Sequence, residues 1–357
     1  MAIKRFWKLY AVICVGLLCM PLLGAIKVAG AVETLESSAV DHSFVAESGD
    51  WNTWSSVDQS SADILGEQNM LVASNAAGSH AQAAGGYAPA HSEHAKGEIS
   101  AAMIEEFREL TKYGKAIHVM AMLMVGFGFL MVFVKRYGYG AVTATYIAVS
   151  VVIPYYMFLK TQGIFGEPAE LKMDRFILAE FCAASILIAT GAFLGRLKMS
   201  QYIIMAMLFV PSYMLNEWIM LDNGMGFIPK GQLIDTGGSI VIHQFGAYFG
   251  LGVIVRMTTK EDFTKKIESD KISNQFSMLG SMVLWIFWPS FCAAPAEISR
   301  MPTAAVNTVL SLCAATIATY LATTMIRKKI MIEDIANAAL AGGVAIGSSC
   351  AHTTPVA

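Results

Sequence analysis

The chain has 357 residues, 55% of them hydrophobic and only 15% charged, with a formal net charge of −2 and a mean hydropathy of +0.53. Soluble domains carry about 25% charged residues, so this composition belongs to a membrane and excludes an ordinary soluble globule. The net charge says nothing about nucleic acid, and no basic tract points to such a partner. Six cysteines (Cys14, Cys19, Cys182, Cys292, Cys313 and Cys350) are scattered, mostly in apolar runs and without a CxxC pair. Neither a zinc site nor a disulfide framework is indicated, and they read as small buried hydrophobes.

Taken in order, residues 1–31 begin with Lys4, Arg5 and Lys8, run apolar from Tyr10 to Ile26, and end in Ala29-Gly30-Ala31. That is the layout of a secretory signal peptide, with an extra first membrane span as the rival. Residues 32–97 are rich in Ser, Ala and Gly without a sustained period, and predict a flexible extracytoplasmic segment. Its histidines, His80, His91 and His94, are too loosely spaced to make a metal site the better reading. In 98–115, Ile99, Met103, Phe107 and Leu110 recur at helical spacing among charges, predicting an amphipathic helix at the outer surface that leads into the first span.

Hydropathy then places spans near 116–134, 140–159, 175–195, 201–221, 236–256, 277–296, 303–326 and 333–350, each of roughly 20 residues. If the first enters from outside, the inner connections carry Lys135, Arg136, Arg196, Lys198, Arg256, Lys260, Lys265, Lys266, Lys271, Arg327, Lys328 and Lys329. The outer ones carry only Lys160, Lys172, Arg175, Lys230 and Arg300. That asymmetry obeys the positive-inside rule and predicts a multi-pass protein of the inner (plasma) membrane with an extracytoplasmic amino-terminal segment. The longest inner connection, 256–275, has no phosphate-cradling glycine loop or Walker lysine, which argues against an ATP-driven pump. No enzyme activity and no cofactor are indicated.

Few polar residues fall inside the spans. His243 lies near mid-depth in the fifth, among Gly237, Gly238, Ser239, Gly246, Ala247 and Gly250. An ionisable group at that depth marks a substrate path or proton relay by default, and small residues let neighbouring helices approach. Asp235, at the outer mouth of the same span, suits a helix cap and also adds negative potential where a cation would arrive. Glu217, at the outer end of the fourth span, is either a solvated rim residue or part of a cation-recruiting vestibule. Phe181 and Phe291 fall at comparable outer depths of separate spans. Pro289 interrupts helix hydrogen bonding beside Phe291, suggesting a cavity or a packing contact.

The stretch Gly237-Gly238-Ser239-Ile-Val-Ile-His243-Gln-Phe-Gly-Ala-Tyr-Phe-Gly-Leu251 closely resembles the fifth span of Rhesus-type (Rh) ammonium channels. Val125–Met131 with Lys135–Gly138, Phe181-Cys182 with Gly191–Gly195, Asn216-Glu217, Phe276–Gly280 with Leu284–Phe291, Asn307-Thr308 and Asn337–Gly347 are similar, in order, to the family's other core spans. The resemblance implies an all-α integral membrane helix bundle of the ammonium transporter/Rh type. It further implies a pore histidine at His243, a phenylalanine gate at Phe181 and Phe291, and entrance residues at Asp235 and Glu217. By the same resemblance the substrate is ammonium or ammonia, with methylamine or CO2 as further permeants, and the assembly is a homotrimer in the lipid bilayer with one pore per subunit.

The family plan has about eleven spans, the first ten forming two inverted repeats, and this sequence stops at Ala357, just after the eighth. The second pore histidine of the family, on its tenth span, has no counterpart; His352, at the outer end of span eight, is not a substitute. Cys292 stands where the family has Asn, and Met331 where it has an acid. A fragment and a true truncation remain the two alternatives, and a non-conducting protein with a sensory or structural role is the rival expectation.

Overall fold

The computed structural model describes residues 100–258, 268–330 and 332–354. The stretches expected to be a signal peptide and a flexible segment with three histidines lie outside them, as do Cys14, Cys19 and Met331.

Among the described residues the regular structure is helical, and seven helices are long and apolar enough to cross a membrane. The first, α1 (Ala101–Ala121), starts where Ser100 Oγ accepts the Met103 N–H at 3.2 Å and passes into a π-helical stretch, Met122–Phe127. It runs unbroken across position 115, so the amphipathic segment and the first span are one helix, with Met103, Phe107 and Leu110 on its exposed face. Then follow α2 (Gly138–Thr161), α3 (Met173–Phe193) and α4 (Met199–Leu221). The fifth span is a π-helical turn, Ser239–Gln244, continued by α5 (Phe245–Met257). The sixth, α6 (Lys271–Ala293), opens on a capping box in which Asp270 and Ser273 satisfy each other's backbone N–H. The seventh, α7 (Met301–Arg327), has Pro302 in its first turn and ends at Lys328 with φ 59°.

The eighth segment differs from the continuous span expected at 333–350. It is two short helices, α8 (Ile332–Ala338) and α9 (Ala341–Ile346). Hydropathy measures the length of an apolar run and not backbone continuity. Here Gly342 and Gly343 favour close packing over helix persistence: a Cβ on Gly342 would lie 2.2 Å from the Ser311 carbonyl oxygen, and one on Gly343 2.3 Å from the Trp288 ring. α6, by contrast, stays helical through Pro289, and the packing contact beside it is a 2.8 Å hydrogen bond between Ser290 Oγ and His118 Nδ1.

α3 is the centre of the bundle and α7 an outer wall: 72% of the apolar window of α3 is buried, against 11% for α7. α3 packs against α1, α2 and α5, α2 against α4, and α6 against α1 and α7. Two of the small residues of the fifth span, Gly246 and Gly250, sit in its seam with α3. A Cβ on Gly246 would stand 2.5 Å from the Ser185 carbonyl oxygen, and one on Gly250 2.9 Å from Ala192 Cβ. These two glycines let the histidine-bearing helix lie directly on the central one. Of the described cysteines, Cys182, Cys292 and Cys350 are buried and Cys313 half-buried.

Candidate functional site

The site is built from the start of the fifth span. Gly238 has φ 71° and ψ 32°, left-handed values that favour glycine, and a Cβ there would lie 2.2 Å from Ile242 Cδ1. Its carbonyl oxygen accepts the backbone N–H groups of Ile242 and His243, each at 3.0 Å, the second bond closing a π turn. It also lies 3.0 Å from His243 Nδ1. A carbonyl only accepts, so Nδ1 carries the hydrogen and Nε2 of the neutral ring is left as an acceptor. Side chains also anchor this turn: Ser185 Oγ donates to the Ile242 oxygen at 2.7 Å, which the Phe245 N–H reaches as well, and Asn216 Nδ2 donates to the Val241 oxygen at 3.3 Å. His243 is thereby buried and fixed in tautomer and ring position.

Asp235 performs the capping expected of it from outside the helix rather than as its first residue. The cap position is Gly238, and the Asp235 carboxylate reaches past it to accept the N–H groups of Ile240 at 3.1 Å and Val241 at 2.7 Å. It also accepts the hydroxyl of Ser348. Ser348, in turn, donates its backbone N–H to Ser239 Oγ at 2.8 Å, and Gly237 N–H meets the Gly347 carbonyl at 2.6 Å. The turn after α9 therefore clasps the beginning of the fifth span.

Next to His243 stands an aromatic cluster. Trp288 stacks on its ring with centroids 5.6 Å apart, and Phe291 meets it edge-on at 6.0 Å. Phe291 in turn lies 4.6 Å from Phe181 at an interplanar angle of 40°. The two phenylalanines and the histidine, distant in sequence, form one buried column.

A cavity of about 450 Å³ adjoins this column, with Phe181, Glu217, Asp235, Gly238, Glu297, Arg300 and His352 among its lining residues. His243 and Phe291 are not part of its wall. His352 sits at the cavity with its Nδ1 2.9 Å from Arg300 Nη1, away from His243.

Glu217 is neither a solvated rim residue nor an isolated acid. It is 3% exposed, and its Oε2 accepts Tyr156 OH at 2.7 Å and Lys160 Nζ at 2.9 Å. Lys160, counted above among outer-loop cations, is instead the 8% exposed end of α2. Sequence reasoning missed this lysine because hydropathy places it beyond the span. An isolated cation within helical register of a tyrosine was the signal that could have found it. Glu180 was also missed as a residue to weigh: it is fully buried beside Phe181, and neither carboxylate oxygen has a hydrogen-bond partner among the described residues.

Membrane-length helices around a central one, with a broken helix start presenting a histidine beneath paired aromatic rings, define a multi-pass membrane protein of the discontinuous-helix class. The chain belongs to the ammonium transporter family, whose model matches residues 103–357. It is 38% identical over 243 residues to the ammonium transporter Rh type C of Xenopus laevis, covering 65% of this chain and 49% of that protein. To the Rh type B transporter of Bos taurus it is 37% identical over 248 residues, covering 67% and 52%. Among solved structures, Rh50 of Nitrosomonas europaea, from the Rhesus protein family of channels, matches with a TM-score of 0.68 and 52% identity, covering 70% of this chain and 66% of that one. The chain spans about half the length of the curated relatives it matches.

Proposed function

We propose that the protein conducts ammonium or ammonia across the plasma membrane as a homotrimer with one pore through each subunit. In this reading the cavity is the outer entrance, edged by Asp235 and Glu217. Phe181 and Phe291 are the gate, and His243 lines the path beyond it. The observation that carries the proposal is the fixed geometry of His243, whose Nδ1 is held by the Gly238 carbonyl at 3.0 Å directly against Phe291. A bare cation in a dry apolar passage loses its hydration at a heavy penalty, so the neutral amine is favoured there. A neutral imidazole of set tautomer offers an acceptor to such a molecule without adding charge. The carboxylates and aromatic faces at the entrance suit an arriving ammonium ion.

The test is uptake of labelled methylammonium by proteoliposomes containing the purified protein. Saturable flux above protein-free vesicles is expected, abolished when Phe291 and Phe181 are replaced by bulkier tryptophan. Flux no greater than in empty vesicles, from protein that is folded and inserted, refutes it.

A further inference from the structure

The mouth of the cavity carries more charge than the expected entrance residues alone account for. Glu217, Asp235, Glu297 and Arg300 all line it, three acids against one cation. Two of these are already engaged. Asp235 is taken up by two backbone N–H groups and the Ser348 hydroxyl, and Glu297 faces Arg300 at 3.9 Å. Glu217 is paired too, but only through Oε2; it is the buried carboxylate whose other oxygen, Oε1, makes no hydrogen bond among the described residues and can hold a cation in the cavity.

Lys160 pairs with the other oxygen of that carboxylate. It is not among the lining residues, yet its Nζ is 2.9 Å from Glu217 Oε2 and 5.5 Å from the centroid of the Tyr156 ring. With Lys160 included, the formal charge at the mouth falls from −3 + 1 = −2 to −3 + 2 = −1. An amine head therefore already occupies one face of Glu217, hydrogen-bonded and over an aromatic ring, as an ammonium ion would be held. Burial of the pair, at 8% and 3% exposure, leaves little solvent to screen either charge.

We propose that Lys160 is a specificity-determining residue that weakens cation binding at this mouth. It supplies Glu217 with a permanent counter-ion, so that an ammonium-class cation is held loosely and released inward rather than trapped. This inference rests on the cavity being the entrance named above. It assigns to Glu217 the role of half of a tuned pair, and it predicts that removing the lysine tightens binding.

The experiment titrates methylammonium chloride into the purified protein at constant ionic strength. Trp218, which neighbours Glu217 and packs on Phe165 at 5.9 Å, serves as the fluorescent reporter, with calorimetry in parallel. Lys160→Met is expected to bind about thirtyfold tighter, the effect of one unit charge roughly 8 Å away at an effective dielectric near 20, since a cation on the far oxygen of Glu217 stands one carboxylate beyond the 2.9 Å contact. Glu217→Gln, which leaves Lys160 uncompensated, is expected to bind more weakly than the parent. The double variant, neutral at both positions, is expected within about threefold of the parent, because the pair it replaces is itself neutral. If Lys160→Met does not fold, the comparison of the double variant with Glu217→Gln isolates the same lysine charge, and the double variant must bind about thirtyfold tighter. A purely structural pair would shift melting temperatures and leave this order of affinities unmoved. Equal affinities across the folded variants, or tighter binding by Glu217→Gln, overturn the proposal. Because binding is read on purified protein, a parent without flux in vesicles but with this affinity order refutes conduction alone.

Discussion

Replacing Asp235 by alanine should loosen the structure that aims His243. Its carboxylate accepts the N–H of Ile240 at 3.1 Å and of Val241 at 2.7 Å, along with the hydroxyl of Ser348. Amides in the first turn of a helix have no partner within it, and Val241 is buried, so water is a poor substitute. Each buried donor left unsatisfied costs about 1–3 kcal/mol, so two amides predict a loss of roughly 2–6 kcal/mol for Asp235→Ala. Asparagine keeps one carbonyl oxygen for the amides and should lose about 1–2 kcal/mol. For a chain of this size, about 2–4 °C per kcal/mol puts the alanine variant at least about 4 °C below the parent, with asparagine between them. The assay is thermal melting in detergent followed by far-ultraviolet circular dichroism. An alanine variant melting within about 1 °C of the parent would refute the assigned cap. Flux separates the two roles of the residue. If asparagine melts like the parent but loses methylammonium uptake, the charge and not the cap is what transport uses.

His243→Ala is expected to change the rate and pH dependence of methylammonium uptake while the protein remains folded; unchanged flux at every pH would mean that the ring is only packing. Gly280→Ala should destabilise, because its Cβ would lie 2.2 Å from the Leu130 nitrogen and 2.6 Å from the Gly126 oxygen, and overpacking of this kind costs about 1–3 kcal/mol. Gly252→Ala, with nothing within 4 Å, should leave melting unchanged or raise it, and a reversed order of the two would sink the packing argument. Glu180→Gln keeps the shape of a wholly buried side chain whose oxygens lack partners, so its melting temperature should equal or exceed the parent's. A marked fall would reveal a use for the charge. At the start of α6, the Ser273 backbone N–H and then Lys135 hold the Asp270 carboxyl below its usual range. A lowered acid pKa contributes stability at neutral pH that is lost as pH falls through the folded value. The difference in melting between the parent and Asp270→Asn should therefore be present at pH 7 and shrink below about pH 4.

Much of the fold was legible because membrane helices must satisfy their backbone internally and hide their charges, so long apolar runs read out as spans. The histidine and its small-residue seam were legible for the same reason: Gly246 and Gly250 leave the space that α3 fills. What hydropathy could not convey was backbone continuity. The break between α8 and α9 and the π turn that carries His243 both lie within stretches that hydropathy reads as single spans. Nor could it convey pairing at the span ends. Lys160 and Glu217 sit 57 positions apart and meet only because α2 and α4 end side by side. Alone, Lys160 read as a loop charge and Glu217 as either a rim or a vestibule acid; together they are buried.

The clasp between the fifth span and the turn after α9 joins residues more than a hundred positions apart: Ser239 with Val344 and Ser348, and Asp235 with Ser348. During synthesis the fifth span emerges long before its clasp. Until residues 344–348 have been made and inserted, Asp235 lacks its hydroxyl donor, and Ser239 has neither the carbonyl it donates to nor the N–H it accepts. The final shaping of the histidine's surroundings is therefore a late event on the assembly path. A nascent chain arrested before residue 344 would carry every residue of the aromatic column but not the contacts that hold the head of its helix. Quality-control proteases that cut loosely held membrane helices would have their opportunity in that interval.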